Sequence, residues 1–216
     1  MRVSEIFYSI QGEGLHQGYP TIFLRLQGCN LRCTWCDTVY AQSKDNGAEF
    51  TVSEVLEKIS SYNTTRCKRL CITGGEPLTQ LKGLSELALV LPDYHVEIQT
   101  NGTLKLPDYH GDQLSFNMDL KCPSSGMAGK HIEENLHLLG PDDQLTCVIR
   151  DFVDFEYATS IILPLKLYES TNIFFQPVHN KIELATLAGW VMKLGCDLRI
   201  GIQLHKLIWG ANRRAV

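Results

Sequence analysis

The stretch Thr21-Ile-Phe-Leu-Arg-Leu-Gln-Gly-Cys29-Asn-Leu-Arg-Cys33-Thr-Trp-Cys36-Asp-Thr38 joins two patterns whose meeting decides the fold. Thr21 to Gln27 reads as a strand from its β-branched and aromatic content. A Cys-x3-Cys-x2-Cys group follows directly at the strand's carboxyl end. Three thiolates so close together can converge on one small inorganic object. A structural zinc wants four protein ligands, and an electron-transfer [4Fe-4S] cluster wants four cysteines. Three suit a cubane whose fourth iron stays free for a substrate or cofactor. A catalytic zinc with three protein ligands is the other reading, although such sites usually include histidine and this loop has none.

On either side of this stretch the chain alternates strand, loop and helix. Val3 to Ser9 is a short extended segment, and Gln11-Gly-Glu13-Gly14 is a loop whose glycines allow tight turns. Residues 44–49 are a polar, exposed excursion. Thr51-Val-Ser-Glu54 has capping-box spacing, and Val52, Val55, Leu56 and Ile59 form a helical stripe. A strand over Arg69–Thr73 ends in Gly74-Gly-Glu-Pro77, and a helix follows from about Leu78 to Leu91. Further strands are expected at Tyr94–Gln99, ending in Thr100-Asn-Gly102, and at Gln113–Asp119, ending in the Pro/Gly-rich 120–126. Another covers Gln144–Arg150, with a helix near Phe155–Ile162. Asn172–Gln176 ends in Pro177-Val-His179, a helix spans Ile182–Leu194, and Leu198–Leu204 is the last strand.

This is a strand–loop–helix unit repeated about six times, with connections long enough for parallel crossovers. The strands read as apolar on both faces, as a helix-covered parallel sheet requires. The polar motifs follow the strands, at the carboxyl ends where such sheets carry their sites. Six strands rather than eight imply an α/β fold of the partial, open TIM-like barrel kind, with helices outside. A flavodoxin-like or dinucleotide-binding sheet is the alternative, weakened by the absence of Gly-x-Gly-x-x-Gly. With 216 residues the chain fits one domain. Within 1–216 we distinguish an N-terminal extension (1–20), a cluster loop (28–40) and a capping tail (about 198–216).

Apolar residues make up 44 % and charged residues 20 %, an ordinary folded composition, and the net charge of -4 speaks against a nucleic-acid binder. Arg2 and Glu5 stand where a signal peptide needs an apolar run and no membrane span is evident, so a cytoplasmic protein is expected. Eight cysteines without a secretion signal do not read as a disulfide framework. Cys71 and Cys147 fall in apolar runs and read as core. Cys67 is a distant candidate for a fourth ligand, Cys122 lies in the 120–126 loop, and Cys196 has no evident role.

Held by Cys29, Cys33 and Cys36, a cubane has one iron able to chelate the amino and carboxylate groups of S-adenosylmethionine, whose reductive cleavage yields a 5'-deoxyadenosyl radical. No side chain is then needed as general acid or base. Gly75 and Glu76 could line the bound methionine moiety, and Asp119 and Lys121 offer a carboxylate and a cation, or else a surface ion pair. Thr38 supplies a hard oxygen suited to Mg²⁺, or a loop cap. Arg25 has a fork matched to a carboxylate. Gln11 and Glu13 could read amide and amine edges of a ring, and Trp35 either shields the cluster or packs the loop.

Taken together, Phe7-Tyr-Ser-Ile-Gln-Gly-Glu-Gly14, Arg25–Thr38, Ile72-Thr-Gly-Gly-Glu-Pro77, Gln99-Thr-Asn-Gly102 and Gln176-Pro177 resemble the 7-carboxy-7-deazaguanine synthase family of the radical S-adenosylmethionine superfamily. The resemblance runs to about His205. It implies ring contraction of 6-carboxy-5,6,7,8-tetrahydropterin to 7-carboxy-7-deazaguanine with loss of ammonia, in queuosine biosynthesis. It also implies a [4Fe-4S] cluster, S-adenosylmethionine, Mg²⁺, a homodimer, and an external reductant such as flavodoxin or ferredoxin, with neither nucleic acid nor membrane as partner. Carried over by position, Cys29, Cys33 and Cys36 hold the cluster and Thr38 holds Mg²⁺. Ile10, Gln11, Gly12, Glu13, Arg25, Thr73 and His205 meet the substrate. Gly75, Glu76, Asp119, Leu120, Lys121, Phe174, Phe175, Gln176 and Pro177 meet S-adenosylmethionine. Two features depart from the family: Asp119-Leu stands where many relatives have Ser-Pro, and the chain continues past His205 to Val216. A glycyl-radical activating enzyme and a non-catalytic metal module are the alternatives.

Overall fold

The computed structural model describes residues 1–62, 66–107, 113–211 and 213–215, so two positions of the anticipated tail, 212 and 216, lie outside the described residues. The strands are β1 (Arg2–Ile10), β2 (Pro20–Leu26), β3 (Ala48–Glu49), β4 (Arg69–Gly74), β5 (His95–Thr100), β6 (Leu114–Leu120), β7 (Gln144–Ile149), β8 (Asn172–Pro177) and β9 (Leu198–Ile200). Among the described residues they form one sheet of nine strands in the order β3-β1-β2-β4-β5-β6-β7-β8-β9. From β2 to β9 every pairing is parallel, which joins seven strands where about six were expected. β1 and β3 extend the sheet antiparallel from the β2 side. The outer strands β3 and β9 do not pair with each other, so the barrel stays open.

The helices are α1 (Val52–Ser60), α2 (Leu81–Leu89), α3 (Glu133–Leu138), α4 (Phe152–Ile162), α5 (Leu184–Leu194) and α6 (Leu204–Trp209). The capping box at α1 forms as the spacing predicts: Thr51 accepts from the Glu54 amide, and the Glu54 side chain accepts from the Thr51 amide. Asp151, just past the end of the expected Gln144–Arg150 strand, is the N-cap of α4 and accepts from the Val153 and Asp154 amides. Two expectations change, and one helix was not expected. The helix expected from Leu78 begins as a 3-10 turn at Pro77–Gln80. The strand expected over 198–204 stops at Ile200, because Gly201 closes it and α6 begins at Leu204. α3 lacks a periodic apolar stripe long enough to be read from sequence.

The strands are not apolar on both faces. Leu70, Ile72, Val96, Ile98, Phe116, Met118, Leu145 and Ile173 belong to the main apolar core, with buried residues of α1 to α5. The alternate positions include Thr73, Glu97, Ser115, Asn117, Gln144, Thr146 and Gln176, buried and polar, beside the apolar Cys71 and Phe174. The two-residue alternation sends these side chains to the concave face. There they satisfy one another across strands, as when Thr146 Oγ1 donates to Asn117 Oδ1 at 2.8 Å. A buried polar inner face is what distinguishes this half-barrel from a doubly covered sheet.

Candidate active site

The carboxyl ends of the parallel strands open into a cavity of about 670 Å3. Its wall contains Cys29, Cys33, Cys36 and Thr38 from the loop after β2, Thr73 and Gly75 from β4 and its end, and Asp119 and Lys121 from β6 and its end. Gln176 and Pro177 of β8, Ile10 of β1, and Gln11, Gly12 and Glu13 complete it with Arg25 and His205. Sixteen of the expected site residues therefore share one cavity. Four do not. Leu120 and Phe175 are fully buried in the outer core, and Phe174 is 7 % exposed under the Arg199 guanidinium. The Glu76 carboxylate turns away from the cavity and accepts from the Leu78 and Asn101 amides and the Thr100 hydroxyl.

The cysteine loop is fastened at both ends. Gly28 and Cys29 amides donate to Ala41 and Gln42 carbonyls. The Thr34 amide donates to the Ser125 carbonyl at 3.0 Å, and Trp35 Nε1 donates to Ser124 Oγ at 3.2 Å. Ser124 is itself held by the buried Asp154. Trp35 thus packs the loop against 122–126, with Lys121 Nζ 5.8 Å from its ring centre. Gly75 is needed for the same closeness, since a Cβ there would stand 2.2 Å from the Gly28 carbonyl oxygen.

Burial lifts the Cys29 and Cys33 thiols, neighbouring cysteines lift them further, and Lys121 opposes the rise. Cationic charge beside Cys29 and Cys33 would favour their thiolates, as Lys121 already does. Among the described residues no three His, Cys, Asp or Glu side chains converge tightly enough for a single metal ion. A cubane offers a separate iron to each thiolate, so its ligands surround an object rather than meet at a point. Three cysteine thiols on one cavity wall, with no histidine in their loop, are a donor set that a cluster can use. Cys67 is no fourth ligand: its thiol donates to the Pro20 carbonyl at 3.1 Å, at the amino ends of the strands.

Thr38 precedes a 3-10 turn over Val39–Ala41, but its hydroxyl makes no cap bond and instead hydrogen-bonds with Cys36 Sγ at 3.6 Å. Burial disfavours charge on Lys121, but Asp119, at 2.6 Å, and Cys33 outweigh it and hold the ammonium strongly protonated. The Asp119–Lys121 pair is therefore real and lies inside the cavity.

Arg25 is oriented by a residue the sequence did not suggest. Its Nε donates to Glu5 Oε1 at 2.7 Å, and the same oxygen accepts from the Tyr40 hydroxyl at 2.7 Å. Burial pushes Tyr40 up to about 12, so it stays a donor. A second line runs along the rim: Glu13 accepts from Gln203 at 2.7 Å, Gln203 from Lys206 at 2.6 Å, and Lys206 pairs with Asp37 at 3.1 Å. Burial raises the Glu13 carboxyl against the Gln203 bond. Burial would also raise Asp37, yet Lys206, Arg25 and His205 hold it low. The chain beyond His205 returns to the site: Ala211, Arg213, Arg214 and Ala215 line the cavity, and Arg214 lies 4.1 Å over the Tyr40 ring.

The family model of the radical SAM superfamily matches residues 24–124. The chain is 37 % identical to the 7-carboxy-7-deazaguanine synthase of Clostridium acetobutylicum over 222 residues, covering 100 % of this chain and 99 % of that one. It is 39 % identical to the synthase of Methanospirillum hungatei, across 96 % of this chain and 85 % of that one. The crystal structure of QueE from Escherichia coli has the same fold, with a TM-score of 0.75 over 94 % of each chain at 23 % identity. No helix among the described residues is long and apolar enough to cross a membrane. The chain belongs to the 7-carboxy-7-deazaguanine synthase family of the radical SAM superfamily.

Proposed function

We propose that the chain converts 6-carboxy-5,6,7,8-tetrahydropterin to 7-carboxy-7-deazaguanine, releasing ammonia, as a step of queuosine biosynthesis. The observation that supports this most is the sharing of one cavity by the Cys29, Cys33 and Cys36 thiols with Gln11, Glu13, Arg25 and His205. In this reading Cys29, Cys33 and Cys36 hold a [4Fe-4S] cluster, which with S-adenosylmethionine supplies hydrogen abstraction from a carbon that polar chemistry cannot activate. Thr38 takes Mg²⁺ next to the substrate carboxylate. Arg25, steadied by Glu5, turns its two Nη groups to that carboxylate. Gln11 and Glu13 read the hydrogen-bonding edge of the pterin, and His205 closes over it. Gly75, Asp119, Lys121, Gln176 and Pro177 position S-adenosylmethionine, and the segment from His205 to Ala215 caps the cavity. The pocket orients the reacting C–H bond and keeps other hydrogen donors away. A homodimer and an external one-electron reductant complete the reading on the strength of the family resemblance.

The test is anaerobic incubation with the tetrahydropterin, S-adenosylmethionine, Mg²⁺ and dithionite, followed by mass spectrometry. Deazaguanine product with ammonia is expected, and reductive cleavage of S-adenosylmethionine without product would overturn the assignment. Arg25→Ala should keep its iron and lose about a hundredfold in kcat/KM, the size of a charged bidentate contact. Gly12→Ala should raise the pterin KM, because the new Cβ would stand 2.0 Å from His205 Nδ1 and push the ring aside. Steady-state kinetics on both variants check these outcomes.

A further inference from the structure

Beneath the cavity the concave face holds a chain of polar side chains that the proposed reaction does not use directly. Glu97 of β5 is 3 % exposed and lies beside Cys71 of β4 and Ser115 of β6. Its Oε1 accepts from Gln11 Nε2 at 3.0 Å and from Gln99 Nε2 at 3.1 Å. Its Oε2 meets His16 Nδ1 at 2.9 Å and accepts from Gln144 Nε2 at 3.3 Å. His16 Nε2 stands 3.1 Å from His95 Nε2. Gln144 in turn accepts from the Leu15 amide at 2.8 Å, and Gly14 is glycine where a Cβ would strike that same side chain. The loop carrying Gln11 and Glu13 is thus bolted to the barrel floor.

With both histidines neutral and Glu97 ionised, these contacts allow one arrangement of protons. A carboxylate only accepts, so His16 donates through Nδ1 and accepts at Nε2 from His95. Burial lowers the His95 imidazole from its ordinary range, which suits that neutral donor role. Gln11 must likewise give its NH2 to Glu97, which turns its amide oxygen away from Glu97, where it accepts from the Glu13 amide at 3.4 Å and keeps a second lone pair. With the amide reversed, its oxygen would face a carboxylate that has no proton to offer. We infer that Glu97, backed by His16 and His95, is a positioning residue that fixes the Gln11 amide with its oxygen toward the cavity, so that the site selects a ring edge presenting an N–H or NH2 donor there. The inference rests on the proposed pterin reading for the identity of that ring, but not for the histidine arrangement.

Glu97→Gln is the test, since it keeps the shape and removes the obligation on Gln11. Expected is a rise in pterin KM of about tenfold or more, the worth of one hydrogen bond to a charged group, with kcat nearly unchanged. Iron content and the rate of S-adenosylmethionine cleavage without substrate should match the wild type. An unchanged KM would overturn the inference. Nitrogen-15 histidine spectra of the full-length protein provide a readout independent of substrate. In the wild type His16 should carry its proton on Nδ1, and in Glu97→Gln that preference should be lost. Protonation of His16 at Nε2 in the wild type would overturn the inference whatever the kinetics. If Glu97→Gln folds poorly, His16→Gln should raise KM in the same direction, and a wild-type KM in that variant would count against the chain. Failure of the wild type to turn over the pterin would refute the substrate assignment alone and leave the histidine spectra to decide the arrangement.

Discussion

Cys33→Ser should remove the cluster and with it all cleavage of S-adenosylmethionine, while the protein stays folded. After anaerobic reconstitution the wild type should hold about four irons per chain and the variant close to none, because each thiolate serves a separate iron and a hydroxyl is a poor substitute. The fold should persist because the loop does not depend on the thiol. Thr34 and Trp35 latch it to Ser125 and Ser124, and Gly28 and Cys29 tie it to Ala41 and Gln42. Melting of the metal-free forms should therefore differ little between wild type and variant. Cys67→Ser is the control. Its thiol serves the Pro20 carbonyl at the opposite ends of the strands, so iron and cleavage should be retained. Full iron in Cys33→Ser, or its loss in Cys67→Ser, would mean that the wrong cysteines have been assigned.

The site is legible in the sequence where its parts are adjacent along the chain. Cys29, Cys33, Cys36 and Thr38 lie within ten residues, and glycines 74 and 75 follow a strand, so spacing alone indicates chemistry at a strand end. Partners that meet only through the fold leave no such trace. Glu5 reads as an ordinary residue of an extended segment, yet β1 pairs it with Arg25 across the sheet. Lys206 and Asp37 are separated by 169 positions and meet at the cavity rim. The polar inner face does leave a signal. In Leu114-Ser-Phe-Asn-Met-Asp-Leu120 polar residues alternate with apolar ones, which is the period of a strand with one wet or polar side. Reading every strand as doubly apolar hides Glu97 and Gln144, and with them the support beneath Gln11. α3 and α6 escape a sequence reading because six residues give too few turns for a stripe to show.

Glu76→Ala should destabilise the fold more than any of the other substitutions, by about 3 kcal/mol or more in urea denaturation of the metal-free protein. The carboxylate is fully buried, and burial lifts its protonation above the ordinary range against the pull of the Asn101 and Leu78 amides. Its charge alone would therefore disfavour the folded state at neutral pH, and the hydrogen bonds offset that cost. Alanine strands the Leu78 amide, the Asn101 amide and the Thr100 hydroxyl without an acceptor, each worth about 1 kcal/mol or more when buried. The effect should also reach the site. Asn101 Nδ2 donates to Asn30 Oδ1 at 2.9 Å within the cysteine loop, so loosening Asn101 slackens the cluster ligands. Glu76→Gln separates the two roles. It keeps the volume and one acceptor oxygen, but turns an NH2 toward a donor on one side, so its stability should lie between wild type and alanine. A Glu76→Ala protein within about 1 kcal/mol of wild type would show that the carboxylate is not the joint between β4, β5 and the cysteine loop, and would return it to the role in cofactor binding that its place in Gly-Gly-Glu-Pro first suggested.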